Sequence, residues 1–194
     1  MRLRPGALIV LEGMDKTGKT TQRDRLASLP WAGPAPIVTH MPSGLTAITE
    51  AIYQLTEQHP ISSSLARQLL HLACHAENVP HLLNARSAHA VLIDRWWWST
   101  IVYGWFGAGL RSEFDEEAFL AVISMIWSGL PADLVFLFLT PHRHDVLNQP
   151  PVMQGYRWLA NRYHEIAVEV PHADPDATTD FLLRQMHERG LVSA

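Results

Sequence analysis

The chain has 194 residues, of which 47% are hydrophobic and 18% charged, a balance that supplies a buried core and excludes a disordered chain. No run approaches the ~18 apolar residues of a membrane span, and the opening Met1-Arg-Leu-Arg-Pro-Gly6 is too short and too soon interrupted for a secretory leader. The net charge of −4 excludes the wide basic surface of a general nucleic-acid binder. A single cysteine, Cys74, excludes an internal disulfide and a four-cysteine zinc site and suits a reducing cytoplasm.

In chain order, β-branched apolar runs predict buried strands over 7–12, 36–40, 91–94, 133–140 and 167–170. Helix-length segments fall between and after them, over 19–28, 45–57, 63–87, 114–127, 154–165 and 177–189. The Pro/Gly-rich piece at 30–36 reads as a helix-to-strand connection, so one domain is expected over 1–194. Buried strands alternating with helices predict an α/β fold, a parallel sheet covered on both faces, with ligands at the carboxyl ends of its strands.

The first strand runs directly into Gly13-Met14-Asp15-Lys16-Thr17-Gly18-Lys19-Thr20-Thr21. Through Thr20 this matches the phosphate-loop pattern G-x-x-x-x-G-K-S/T in its strand–loop–helix setting. The glycines let successive N–H groups turn inward around phosphate oxygens, and the following helix adds its positive end. Lys19 can reach the β and γ phosphates, and the Thr20 hydroxyl can ligate Mg²⁺. The lysine usage is telling. Lys16 and Lys19 are the only lysines, against thirteen arginines, so the compact ammonium is confined to the loop where a planar guanidinium fits poorly.

Four blocks extend the pattern. The stretch Leu11–Gln22 resembles the opening of thymidylate kinases. Ile93-Asp-Arg-Trp-Trp-Trp-Ser-Thr-Ile-Val-Tyr103 resembles that family's Asp-Arg-Tyr segment, and Leu69–Pro80 resembles the helix lining its thymidine pocket. Gly129–Leu139 resembles its Leu-Pro-x-Pro-Asp-Leu strand. The resemblance implies a five-stranded parallel sheet of the P-loop kinase type with a short lid over about 141–153, ATP with Mg²⁺ as donor, and a thymidine-like acceptor. It assigns residues 13–21 and the lid's Arg143 to ATP, Thr20 and Asp94 to the metal, and Asp15, Lys19, Asp94 and Arg95 to catalysis. His40, His71, His75, Trp96, Ser99 and Tyr103 fall at acceptor-binding positions, and 172–176 where the family's adenine-facing loop lies. Family members also form homodimers, which nothing in this sequence decides.

The sequence departs from the family where a monophosphate dianion needs arginines. The loop after the second strand reads His40-Met-Pro-Ser-Gly44, His75 stands at the helix arginine and His71 at the base-stacking aromatic. Of the three clamp arginines only Arg95 remains; the lid holds one arginine, Arg143, with Arg157 and Arg162 on the next helix as candidate substitutes there. A neutral acceptor needs no clamp. The resemblance therefore extends to a bacteriophage branch that phosphorylates the hydroxymethyl group of 5-hydroxymethyluracil in DNA, with Asp15 or Asp94 as general base and the tryptophans at 96–98 either holding the displaced base or filling core. The alternatives are a divergent dTMP kinase and a non-catalytic nucleotide-dependent switch. His71 and His75, four apart on a helix, could also carry a metal, for which no third ligand is identifiable.

Overall fold

A computed structural model describes residues 1–112 and 114–193. Its centre is a five-stranded parallel sheet in the order β3-β4-β2-β5-β6. The strands are β2 (Leu8–Gly13), β3 (Ile37–His40), β4 (Val91–Asp94), β5 (Leu134–Phe138) and β6 (Ala167–Glu169), close to the predicted spans. Alternation explains why the middle strands are apolar throughout. Leu8 and Val10, Val91 and Ile93, and Val135 and Leu137 join a core on one face of the sheet. Ile9 and Leu11, Leu92, and Leu134, Phe136 and Phe138 join a second core on the other face. A strand buried on both faces has no polar side to show.

The helices are α1 (Lys19–Ser28), α2 (Ala47–Gln58), α3 (Ser64–Arg86), α4 (Trp97–Ile101), α5 (Glu116–Trp127), α6 (Pro150–Arg162) and α7 (Pro175–Glu188). Their starts are written in the sequence: Thr46, Ser63, Asp115 and Asp174 each accept a backbone N–H as N-caps. The expected helix over 154–165 instead begins at Pro150, because proline suits a first helical turn. The lid is therefore shorter than 141–153, its last residues being the first turn of α6.

Two features lie outside the sequence expectations. The chain after Trp96 forms α4 and continues as a π-helical segment, Val102–Gly107; an unbroken apolar run has no period to reveal this. A two-stranded antiparallel pair of β1 (Arg2–Leu3) and β7 (Val192–Ser193) joins the ends of the described chain, each strand too short to leave a pattern.

The register then sets the site. His40 is paired with Asp94, Asp94 with Leu11, and Gly13 with Phe138. The carboxyl ends of four strands thus meet at the phosphate loop.

Candidate active site

The loop leaves β2 at Gly13, whose φ is +131° and where a Cβ would stand 2.0 Å from the Phe138 carbonyl oxygen of the neighbouring strand. Only glycine fits against that backbone. The loop's Lys16 takes φ 59°, a left-handed conformation that costs a side-chain-bearing residue on the order of 1 kcal/mol. Thr17 Oγ1 donates to the Met14 carbonyl at 2.9 Å. Lys19, nearly buried, turns its ammonium onto the same Met14 carbonyl and to Thr17 Oγ1 at 3.3 Å. Burial pushes its pKa down to about 7, with the Arg95 charge acting in the same direction.

Asp94 ends β4, and its Oδ2 lies 3.4 Å from Thr20 Oγ1 and 3.3 Å from Arg23 Nη1. A hydroxyl and a carboxylate beside a phosphate-binding loop fit Mg²⁺, which takes few protein oxygens and keeps the rest of its shell for water and phosphate. Among the described residues no group of three or more His, Cys, Asp or Glu side chains that could hold a metal is found, and none that includes His71 and His75.

Arg95 follows with φ 65°, a second left-handed residue. This turn aims its guanidinium back at the loop, donating to Gly13 O at 3.2 Å, to Ser99 Oγ at 2.9 Å and to the Asp15 carboxylate. Burial works against its charge, but the surrounding Tyr156, Tyr103, Asp15 and Glu12 raise its pKa above the ordinary value. Tyr103 completes the cluster, its hydroxyl donating to Asp15 Oδ2 at 3.1 Å with the Arg95 guanidinium 5.4 Å from its ring centre. Burial raises the Tyr103 pKa, so the hydroxyl stays protonated at neutral pH.

Beneath Arg95 lies a carboxylate that the motif reading passed over. Glu12, fully buried, accepts from the backbone N–H of Trp96 at 2.6 Å and of Ser99 at 2.9 Å, and from Ser99 Oγ at 2.6 Å. Tyr156 donates to it at 3.2 Å from α6. Desolvation by burial raises its pKa, against the hydrogen bond from Ser99 and the charge of Arg95. Glu12 thus caps the N-terminus of α4 and sets the turn that carries Arg95. Its sole sequence signal was a charge inside a buried strand.

Beside the loop opens a cavity of about 610 Å³. Asp15, His40, His71, Arg95, Ser99 and Tyr103, which the sequence reading assigns to catalysis or to the acceptor, line it. His40 Nδ1 lies 3.2 Å from Ser43 Oγ, and burial lowers its pKa. Two residues assigned to the acceptor do not line the cavity. Trp96 is 4% exposed and packs at ring-centre distances of 5.1 and 5.4 Å from Trp97 and Trp127, inside the core rather than on the cavity. The physical reason is area: three consecutive indoles bury most by turning under the sheet with Trp127 and Tyr163. His75 is also fully buried, its Nε2 2.8 Å from Thr100 Oγ1, so it supports a cavity-lining threonine from behind instead of lining the cavity. Burial pushes its pKa down to about 3.

The segment between β5 and α6 is fastened to the loop. His142 N–H donates to the Lys16 carbonyl at 2.8 Å, and the Asn148 side chain both accepts from Asp15 N–H and donates to Asp15 O, each at 2.8 Å. Arg143, assigned to ATP, is exposed on this segment and does not line the cavity. On the Thr17 side a shallow slot runs between 138–142 and 170–173, where the His142 and His172 rings lie 4.8 Å apart. The adenine-facing stretch expected over 172–176 borders this slot.

A glycine-rich loop between strand and helix, with an aspartate ending the adjacent parallel strand, defines a phosphate-loop nucleotide-binding protein. Comparison with known proteins narrows the class: the model of the thymidylate kinase family matches residues 11–144, and the chain belongs to that family. It is 36% identical over 142 residues to a thymidylate kinase of Prochlorococcus marinus, covering 68% of this chain and 63% of that protein, less than two thirds of its length. A thymidylate kinase of an Exiguobacterium species is 30% identical, covering 96% of this chain and 98% of the relative. Among solved structures, thymidylate kinase from Ehrlichia chaffeensis superposes with a TM-score of 0.76 at 21% identity, covering 95% of this chain and all of that one. That likeness shows the fold.

Proposed function

We propose that the protein transfers the γ-phosphoryl group of ATP to a thymidine-type acceptor held in the cavity, and that the attacking oxygen is the hydroxymethyl oxygen of 5-hydroxymethyluracil in DNA. Lys19, Thr20 and the loop amides hold the donor phosphates, and Arg95 faces the group in transfer. Thr20 and Asp94 would hold Mg²⁺, which would supply neutralising charge on the phosphates. Asp15 takes the proton of the acceptor alcohol as its oxygen bonds to phosphorus and ADP leaves.

One observation carries the choice of a neutral acceptor: the two positions without arginine are structurally closed to one. Gly44 has φ +70°, and a Cβ there would stand 1.9 Å from the Asn78 side chain. His75 is sealed behind Thr100. The buried tryptophans leave any displaced base to be held by the cavity wall alone. A second reading, phosphorylation of dTMP, is supported by the family match and by Lys16 and Arg67, which line the cavity with Arg95 and offer charge to a monophosphate.

The test is label from γ-labelled ATP offered to dTMP, thymidine and hydroxymethyluracil DNA in parallel. The first reading expects label in the DNA and little in dTDP. Label in dTDP at ~1–100 per second with none in DNA establishes the second instead.

A further inference from the structure

Two buried polar atoms without hydrogen-bond partners lie on α3, in residues that line the cavity. Gln68 is 2% exposed, and its Nε2 is buried with no hydrogen-bond partner. One turn on, His71 Nε2 is buried and likewise unpartnered. Both residues line the cavity. A buried amide with unmet N–H groups is a penalty that a leucine at the same helix position would avoid.

The opposite wall makes a matching concession. Gly104 sits in the π-helical segment 102–107 without a positive φ, so its backbone does not call for glycine. A Cβ at 104 would stand 1.8 Å from Gln68 Oε1 and 2.7 Å from its Cδ. A side chain at 104 would displace the Gln68 amide. The Gln68 oxygen therefore lies toward Gly104 Cα–H, a weak donor, and the stronger NH₂ donor is left without a partner.

We propose that Gln68 is a specificity-determining residue for the acceptor base: its amide NH₂ donates to the C4 carbonyl of a uracil- or thymine-type ring, His71 Nε2 accepts from the ring N3–H, and Gly104 makes room for the amide. This rests on the reading of the cavity as the acceptor site and serves either acceptor named above, because both carry the same ring. A cytosine-type ring presents an amino group and a bare ring nitrogen at these atoms, the reverse pattern. Burial pushes the His71 pKa down to about 4, which keeps its imidazole neutral and able to accept at pH 7.

The experiment compares wild type, Gln68→Leu and Gly104→Ala. Calorimetric binding of dTMP, dCMP, 5-hydroxymethyldeoxyuridine and 5-hydroxymethyldeoxycytidine is measured beside ATP binding and thermal midpoint. Wild type should favour the uracil-type member of at least one pair by ten-fold or more. Gln68→Leu should lose most of that preference, with ATP affinity unchanged and the midpoint unchanged or higher, since it removes an unmet polar group. Gly104→Ala should mimic it by displacing the glutamine. Equal wild-type binding of both ring types, or full preference retained in Gln68→Leu, overturns the proposal. So does a loss that comes with weakened ATP binding or a lowered midpoint in Gln68→Leu, which marks a structural role. A wild type that binds with the Gln68-dependent preference but transfers no phosphoryl group upholds the proposal and removes the kinase reading.

Discussion

On the proposed function, Lys19 couples nucleotide binding to pH. Its pKa, pushed down to about 7 chiefly by burial, means that above pH 7 the free protein holds it increasingly neutral. Bound polyphosphate favours the ammonium, so binding at higher pH takes up a proton and affinity declines as pH rises from 7 to 9. Calorimetry at pH 8 in buffers of differing ionisation enthalpy should show uptake approaching one proton per nucleotide, absent in Lys19→Ala, which should also lose phosphoryl transfer while keeping its fold. Zero uptake by wild type would show the lysine charged throughout. Glu12 acts by position. In Glu12→Gln an NH₂ replaces one acceptor oxygen among donors from Trp96, Ser99 and Tyr156, which should destabilise the protein by ~1–3 kcal/mol. As Arg95 loses its supported turn, the transfer rate should fall ten-fold or more while nucleotide affinity holds. Urea titration and single-turnover rates would check both, and a normal rate would remove Glu12 from the site's support.

At the scale of elements, the Trp96–Trp98 block was legible as aromatic but not as to which way it faces. A run of three indoles has no hydrophobic period, so the choice between core and cavity waited on where α4 packs. The structure puts Trp98 at 0% exposure against Trp97 and Tyr163. Trp98→Ala should therefore cost roughly 3–5 kcal/mol in stability, read as a lower urea midpoint, and should weaken donor and acceptor use alike in proportion to the unfolded fraction. A selective loss of DNA use at unchanged stability would return the tryptophans to the acceptor site. Helix α3 divides similarly. His71 and His75 were both visible at helical spacing, but the four-residue step rotates the second just far enough to lie behind Thr100. Gln68 on the same helix carried no signal, since an isolated glutamine on an amphipathic helix ordinarily faces water.

For the whole molecule, the parallel order β3-β4-β2-β5-β6 gathers residues distant in sequence, Gly13, His40, Asp94 and Phe138, at one edge of the sheet. The sequence by itself determined the α/β class, the strands, most helices and the phosphate loop, because each is encoded locally: apolar runs for buried strands, capping residues for helices, and glycines with a lysine for the loop. It also determined the missing arginines, a matter of composition at aligned positions. Only the tertiary structure decided that Trp96 and His75 are core, that Glu12 braces Arg95, that Asn148 ties the segment after β5 to Asp15, and that Gln68 meets Gly104. Each of these depends on contacts between segments far apart in the chain, and local periodicity carries no information about which distant backbone a side chain will meet.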